Sequence, residues 1–410
     1  MSQVSRQTEG RPGWVGLAVI VVCGALISMI SFGPRSAMGL FLAPLSEDRG
    51  WSREVFALAL AIQNIVWGLG QPLFGAVADK WGEARVMVLG ALLYAAGLAL
   101  TAGADTPLVL NLAAGVLIGL GIAGSAFALV ISAFGKLLPV ESRSWAFGIG
   151  MASGSLGQFV FAPLGQAFIS YYGWENALYY FAIILLVIPV LAMGLRAPAG
   201  GHRVEMSEQT IRQALGEAFG HRSYLLLTIG FFVCGFQVAF ITVHMPAYLD
   251  DKGLGAEYGA LSLAVIGLFN VIGAYSAGVM GGRINKRSIL CWIYALRALA
   301  IAVFILLPIS PASVLIFAAV IGLLWLSTVP PTSGLVATMF GPKYMGTLFG
   351  IVFLSHQVGS FLGIWLGGVF YAAYGNYDLF WWLAVATGVL AAIVHYPISD
   401  RPVARLQPAA

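Results

Sequence analysis

Gly75-Ala76-Val77-Ala78-Asp79-Lys80-Trp81-Gly82-Glu83-Ala84-Arg85 is a charged loop set between two apolar runs, 54–77 and 86–104. Asp79 closes the first run, and Lys80 and Arg85 put positive charge around it. Gly82 suits a tight turn and Gly75 a close approach between backbones, because glycine lacks a Cβ. Each flanking run is near the roughly 20 residues that cross a bilayer. The loop therefore reads as a short connection between two membrane helices.

Runs of this kind recur outward from the loop in both directions. Twelve are expected, at 14–40, 54–77, 86–104, 108–134, 145–170, 176–195, 223–248, 257–281, 289–308, 312–336, 345–372 and 378–397. The chain of 410 residues is 60% hydrophobic and 9% charged. A soluble domain averages about 25% charged residues, so a soluble fold is excluded and an all-α integral membrane protein is expected. The lipid bilayer is then the first partner. The three cysteines, Cys23, Cys234 and Cys291, lie singly in separate runs, which suits neither a disulfide framework nor a metal site. No cofactor, metal or nucleic acid is implied, and no nucleophile–base–acid set or phosphate loop suggests an enzyme. The first run is long enough to span and reads as a helix, not a cleaved leader.

The loop has a partner further along. At an offset of 203, Gly50 matches Gly253, Gly75 matches Gly278 and Lys80 matches Arg283. At an offset of 202, Phe147-Gly148 matches Phe349-Gly350, Gly157 matches Gly359, Gly165 matches Gly367 and Tyr172-Gly173 matches Tyr374-Gly375. The chain thus divides into a tail (1–13), a six-helix bundle (14–195), a linker (196–222), a second six-helix bundle (223–397) and a tail (398–410). Parallel repeats of this kind belong to transporters whose halves rock about a site near the midplane. Of the 21 Lys and Arg, sixteen fall on the segments that share a side with the N-terminus. Three fall on the other side (Arg49, Arg53, Lys252), and two within runs (Arg35, Arg297). The positive-inside rule then places both termini in the cytoplasm, and a plasma (inner) membrane is the expected location. A monomer is expected. Glycines at three- and four-residue spacing, Gly148 to Gly157 and Gly359 to Gly367, suit close helix packing.

The loop from Gly75 to Arg85 resembles the signature of the major facilitator superfamily: glycine, three residues, aspartate, a base, one residue, glycine, then bases. Glu83 departs from it, standing where the family usually has a base. Gly278 to Arg283 with Lys286-Arg287 is a worn second copy, with Gly282 at the aspartate position. The resemblance implies the major facilitator fold. It also implies a cytoplasmic gate of Gly75, Asp79, Lys80, Gly82 and Arg85, in which Asp79 holds the outward-facing state against bases and the N-terminus of helix 11.

Arg35 is the least expected residue of the first run. A charge at the centre of a membrane helix costs about 2.5–3.5 kcal/mol on insertion scales and usually faces a cavity. Extending the repeat, Arg35 stands opposite Val238, His244 opposite Phe41, Asn270 opposite Trp67 and His356 opposite Gly154. These four have no polar twin, so they are candidates for function over scaffold. The superfamily resemblance puts them on the cavity-lining helices 1, 7, 8 and 11. Gln237 shares a face with His244, and Gln357 adjoins His356. Arg297 reads as a residue that snorkels toward the cytoplasm. Pro330-Pro331 on the tenth run reads as a broken helix and hinge.

No Asp or Glu lies near the middle of any run, so the missing partner of Arg35 is a substrate anion. Arginine's planar fork suits a carboxylate. Pro12-Gly13-Trp14 and Pro34-Arg35-Ser36 resemble the monocarboxylate transporter family, related to the oxalate/formate antiporters. In that family a glycine-tryptophan motif opens helix 1, and a proline-lysine-serine supplies a cationic substrate contact. Asn270 and Ala274 stand where that family has an aspartate and an arginine. The expected function is secondary active transport of small organic anions, monocarboxylates first. The expected binding set is Arg35, Gln237, His244, Asn270, His356 and Gln357. Protons are the expected coupling ion, carried by His244 or His356. A drug or metabolite efflux pump and a dicarboxylate antiporter of the same superfamily remain as alternatives. A non-transporting receptor fits the intact loop less well.

Overall fold

A computed structural model describes residues 14–196, 209–341 and 344–406. Among them twelve helices are long and apolar enough to cross a membrane. We number them α1 (Gly16–Arg49), α2 (Arg53–Trp81), α3 (Glu83–Ala102), α4 (Pro107–Leu137), α5 (Glu141–Tyr172), α6 (Trp174–Leu195), α7 (Arg222–Asp251), α8 (Ala256–Met280), α9 (Lys286–Leu306), α10 (Pro311–Phe340), α11 (Met345–Tyr374) and α12 (Asp378–His395). The expected all-α, twelve-span fold is what is found. The N-terminal tail at 1–13, including Pro12 and Gly13, lies outside the described residues. So do most of the linker (197–208), Lys343 and the end of the C-terminal tail.

The repeat shows in the backbone. Gly50 and Gly253 have φ of 64° and 81°, and Gly173 and Gly375 have φ of 82° and 69°. Each matched pair ends a helix in the left-handed region that a side chain disfavours. Within each half, small residues let backbones meet. A Cβ on Gly157 would strike the Met29 carbonyl of α1, and one on Gly359 or Gly363 would strike the Phe232 or Phe236 carbonyl of α7. The glycine stripes thus weld α1 to α5 and α7 to α11, but not along their whole length.

The halves meet through α2 with α11, α5 with α8, and the Met38–Phe41 turn with α7. Seven-residue steps along one helix face show where contact ends. On α2, Gly68 packs on Gln357, whereas Gly75 has no atom within 4 Å of a Cβ position. On α5, Ser155 meets Gly267 while Gly148 meets nothing, and on α11 the free position is Gly350. The halves therefore touch from mid-depth to the face that carries Arg53, and part toward the face that carries Asp79. The close approach expected of Gly75 is absent in this conformation. Gly82, at φ 88°, makes the turn expected of it.

Two elements differ from the sequence reading. The linker includes a helix, Ile211–Gly220, started by a reciprocal cap between Thr210 and Gln213. The tenth span breaks between Leu324 and Val329, one turn before Pro330-Pro331. The prolines open the second segment, where a missing N–H costs nothing.

Candidate functional site

Pro34 sits inside the helical stretch Trp14–Ala37 and Ser36 Oγ donates to the Gly33 carbonyl at 2.7 Å, so Arg35 leaves α1 where its turns loosen. The guanidinium lies 4.5 Å from the ring centre of Trp67 and 5.4 Å from that of Phe32. Arg35 Nη2 donates to Asn64 Oδ1 at 2.9 Å, and Asn64 Nδ2 donates to the Leu60 carbonyl at 2.8 Å, which sets the amide's orientation. Arg35 Nε is buried with no hydrogen-bond partner. Among the described residues no carboxylate pairs with Arg35. A cation held between two rings is attracted by their π faces. That attraction leaves its N–H donors unsatisfied.

The same asparagine reaches the other half. Gln357 Nε2 donates to the Asn64 carbonyl at 3.0 Å, and His356 Nδ1 lies 3.0 Å from Gln357 Oε1. A carbonyl accepts only, so the Gln357 amide must face Asn64 with its nitrogen. Its oxygen then requires a proton on His356 Nδ1. Aromatic contacts run alongside: Trp67 meets Phe353 edge-on at 5.3 Å, and Phe353 stacks on His356 at 5.8 Å. Arg35, Gln357 and His356 are thus brought together by Asn64, Trp67 and Phe353, which are not among the expected binding residues. The signal for Asn64 was available. It is polar within a span, and its repeat counterpart is Gly267.

The other three candidates lie elsewhere. His244 faces α11 and α12, with Nδ1 3.2 Å from Tyr377 Oη and Nε2 2.8 Å from the Ile364 carbonyl. Both ring nitrogens are taken. Asn270 Nδ2 donates to Ser155 Oγ at 2.8 Å, and its Oδ1 accepts the Leu326 N–H at 2.9 Å. Gln237 Nε2 donates to the Ala384 carbonyl at 2.7 Å, and its Oε1 accepts from Arg297 Nη1 at 3.4 Å. Arg297 does not snorkel. It is fully buried, and Nη2 donates to the Leu324 and Trp325 carbonyls at 2.5 and 2.7 Å. Asn270 and Arg297 thus satisfy backbone groups released by the break in α10, as a broken membrane helix demands.

On the Asp79 face, Lys136 bridges Asp79 at 3.1 Å and Glu83 at 2.6 Å, and Ser132 Oγ donates to Glu83 at 2.7 Å. Glu83, the departure from the family pattern, is 1% exposed and anchors α4 to α3. Asp79 is 75% exposed and meets α4, not the start of α11. Lys80 and Arg85 are exposed. On the opposite face, Arg53 clasps Asp251 with two bonds of 2.6 and 2.7 Å, donates to Tyr377 Oη at 3.3 Å and lies 4.0 Å over Tyr371. This clasp joins α2 to α7 and closes that face. We expect Asp251→Asn to raise the labelling rate of a cysteine placed beneath the clasp several-fold. An unchanged rate would rule out a latch.

A family model described as Major Facilitator Superfamily matches residues 24–364. The uncharacterized MFS-type transporter YcxA of Bacillus subtilis is 24% identical over 97% of this chain and 98% of its own length. Monocarboxylate transporter 13 of Rattus norvegicus is 24% identical over 95% of this chain and 90% of its own. Among solved structures, a bacterial homolog of the human lysosomal transporter Spinster, inward-facing and occupied, superposes with a TM-score of 0.78 at 15% identity. That superposition covers 97% of this chain and all of that one (100%).

Proposed function

We propose that this chain, which belongs to the Major Facilitator Superfamily, is a secondary active transporter of small organic monocarboxylates working by alternating access. The observation that carries the reading is Arg35, a cation within a span with a buried, unpartnered Nε and no carboxylate beside it. A substrate carboxylate supplies what the guanidinium lacks. The resemblance to monocarboxylate transporters points to the same chemistry. Among the described residues of the spans, Arg35 is the cation left without enough acceptors, which favours monoanions over dianions, because the Arg297 Nη atoms are already engaged by carbonyls and Gln237. With the Asp79 face in the cytoplasm of a plasma membrane, the conformation is the inward-open one, and the protein works as a monomer.

Proton coupling rests on His356. Its Nδ1 belongs to the chain that reaches Arg35, whereas both ring nitrogens of His244 are held by Tyr377 and the Ile364 carbonyl, away from Arg35. A neutral imidazole has one ring nitrogen free to accept a proton, so it can load one with the anion. The test is uptake of lactate, pyruvate or benzoate into proteoliposomes carrying a pH dye. Uptake is expected to acidify the lumen. His356→Ala is expected to uncouple the two fluxes, and His244→Ala to leave them coupled. Uptake of the anions without any pH change would end the proton reading, and preferred uptake of succinate or oxalate would end the monocarboxylate one.

A further inference from the structure

Asn64 has no role among the expected site residues, yet every bond that orients Arg35 passes through it. Its Oδ1 takes the one hydrogen bond that Arg35 donates among the described residues, at 2.9 Å, and its own Nδ2 is tied down on the Leu60 carbonyl. It is 3% exposed. Trp67 stands three residues on, on the same face of α2, and covers the guanidinium. Together they hold the cation by one edge and one face, which leaves Nη1 for a ligand and Nε buried without a partner. The Asn64 carbonyl meanwhile accepts from Gln357 of the second half, near the end of the zone where the two halves touch.

We propose that Asn64 is the positioning residue of the anion site, aligning the Arg35 guanidinium for a carboxylate and tying it through Gln357 to the second half. The inference rests on the reading of Arg35 as the anion anchor. The choice of a neutral amide matters chemically. An amide oxygen accepts one N–H and leaves the positive charge uncompensated. A carboxylate at the same point would accept the same N–H and cancel the charge, so it would compete with the substrate. Alanine would leave the charge but release the guanidinium to other rotamers.

The experiment compares Asn64→Asp, Asn64→Ala, Asn64→Ser and Arg35→Gln in the full-length protein. Thermal-shift titrations at pH 7 use pyruvate and benzoate as probes, and the ligand-free melting midpoint is read beside them. Asn64→Asp is expected to melt at or above the wild-type midpoint while its carboxylate response disappears. Asn64→Ala is expected to bind roughly 10- to 100-fold more weakly, the range spanned by losing a hydrogen bond to a charged group. Asn64→Ser, which keeps an acceptor, should recover part of that loss. A packing role alone would move stability and binding together, and Asn64→Asp is expected to move them apart. Binding by Asn64→Asp within twofold of wild type overturns the inference, provided Arg35→Gln has lost it. If Asn64→Asp does not fold, equal affinity in Asn64→Ser, Asn64→Ala and wild type overturns it instead. Wild-type binding by Arg35→Gln, or no response of the wild type to either probe, removes the anion-anchor reading itself.

Discussion

Arg35→Gln is expected to abolish carboxylate binding while leaving the ligand-free protein as stable as wild type or more so. The two halves of that result have separate causes. Truncating one member of a desolvated, hydrogen-bonded charge pair costs about 2–5 kcal/mol of binding, or at least roughly thirtyfold in affinity. At a carboxylate concentration of about 100 Kd the wild type gains roughly 2.7 kcal/mol of stability by mass action, and the variant gains none. Without ligand the sign reverses. Arg35 is a cation in a membrane span with a single amide partner and a buried Nε that donates to nothing. A charge in that position is unfavourable. Glutamine removes the charge and is long enough to keep a contact with Asn64. Melting curves of both proteins with and without pyruvate check the prediction. Equal stabilisation of both by the carboxylate would refute it.

Arg35→Lys separates charge from shape. The ammonium keeps the charge but has no planar fork and stacks less well between Phe32 and Trp67. Retained but weaker binding would assign the site to an anion held bidentately.

The spans, the repeat and the loop were legible in the sequence because each rests on local or strictly periodic signals. Matched glycines at 50 and 253, and at 173 and 375, share a positive φ. The break in α10 was legible from Pro330-Pro331, but its place was not. Prolines mark where the next helix starts, and the backbone opens upstream, at Trp325 to Thr328. The candidate site was half legible. The repeat offset marks polar residues without a twin, and it applies to Asn64 as well as to Arg35. What it cannot give is the partner. His244 finds Tyr377 and Ile364, both more than a hundred residues away in sequence, and these occupy its nitrogens. Asn270 and Arg297 find backbone groups that exist only because α10 is broken. A sequence shows that a polar group is out of place, and only the fold shows what satisfies it.

Arg297 brings that distinction to a test, because it too is an arginine inside an apolar run and has the opposite expected response. Arg297→Met is expected to lower the melting midpoint of the ligand-free protein sharply. Arg297 is fully buried, and its Nη atoms serve the Leu324 and Trp325 carbonyls and Gln237 Oε1. The carbonyls lie at the end of the helix Pro311–Leu324, where the macrodipole concentrates negative charge and a cation is favoured. Methionine fills similar space but donates nothing, so two buried acceptors and the partly buried Leu324 carbonyl lose their donor. Each buried orphan costs about 1–3 kcal/mol. Against this stands relief of the cation's own burial, which is small because the carbonyls already solvate it. The acceptors win, and a net loss of about 3 kcal/mol or more is expected. Arg297→Lys should recover part of it, since one ammonium can reach one or two of the three acceptors. Detergent melts of the three proteins without substrate decide the matter. A methionine variant as stable as wild type would mean that the break in α10 holds itself, and that Arg297 is a passenger there.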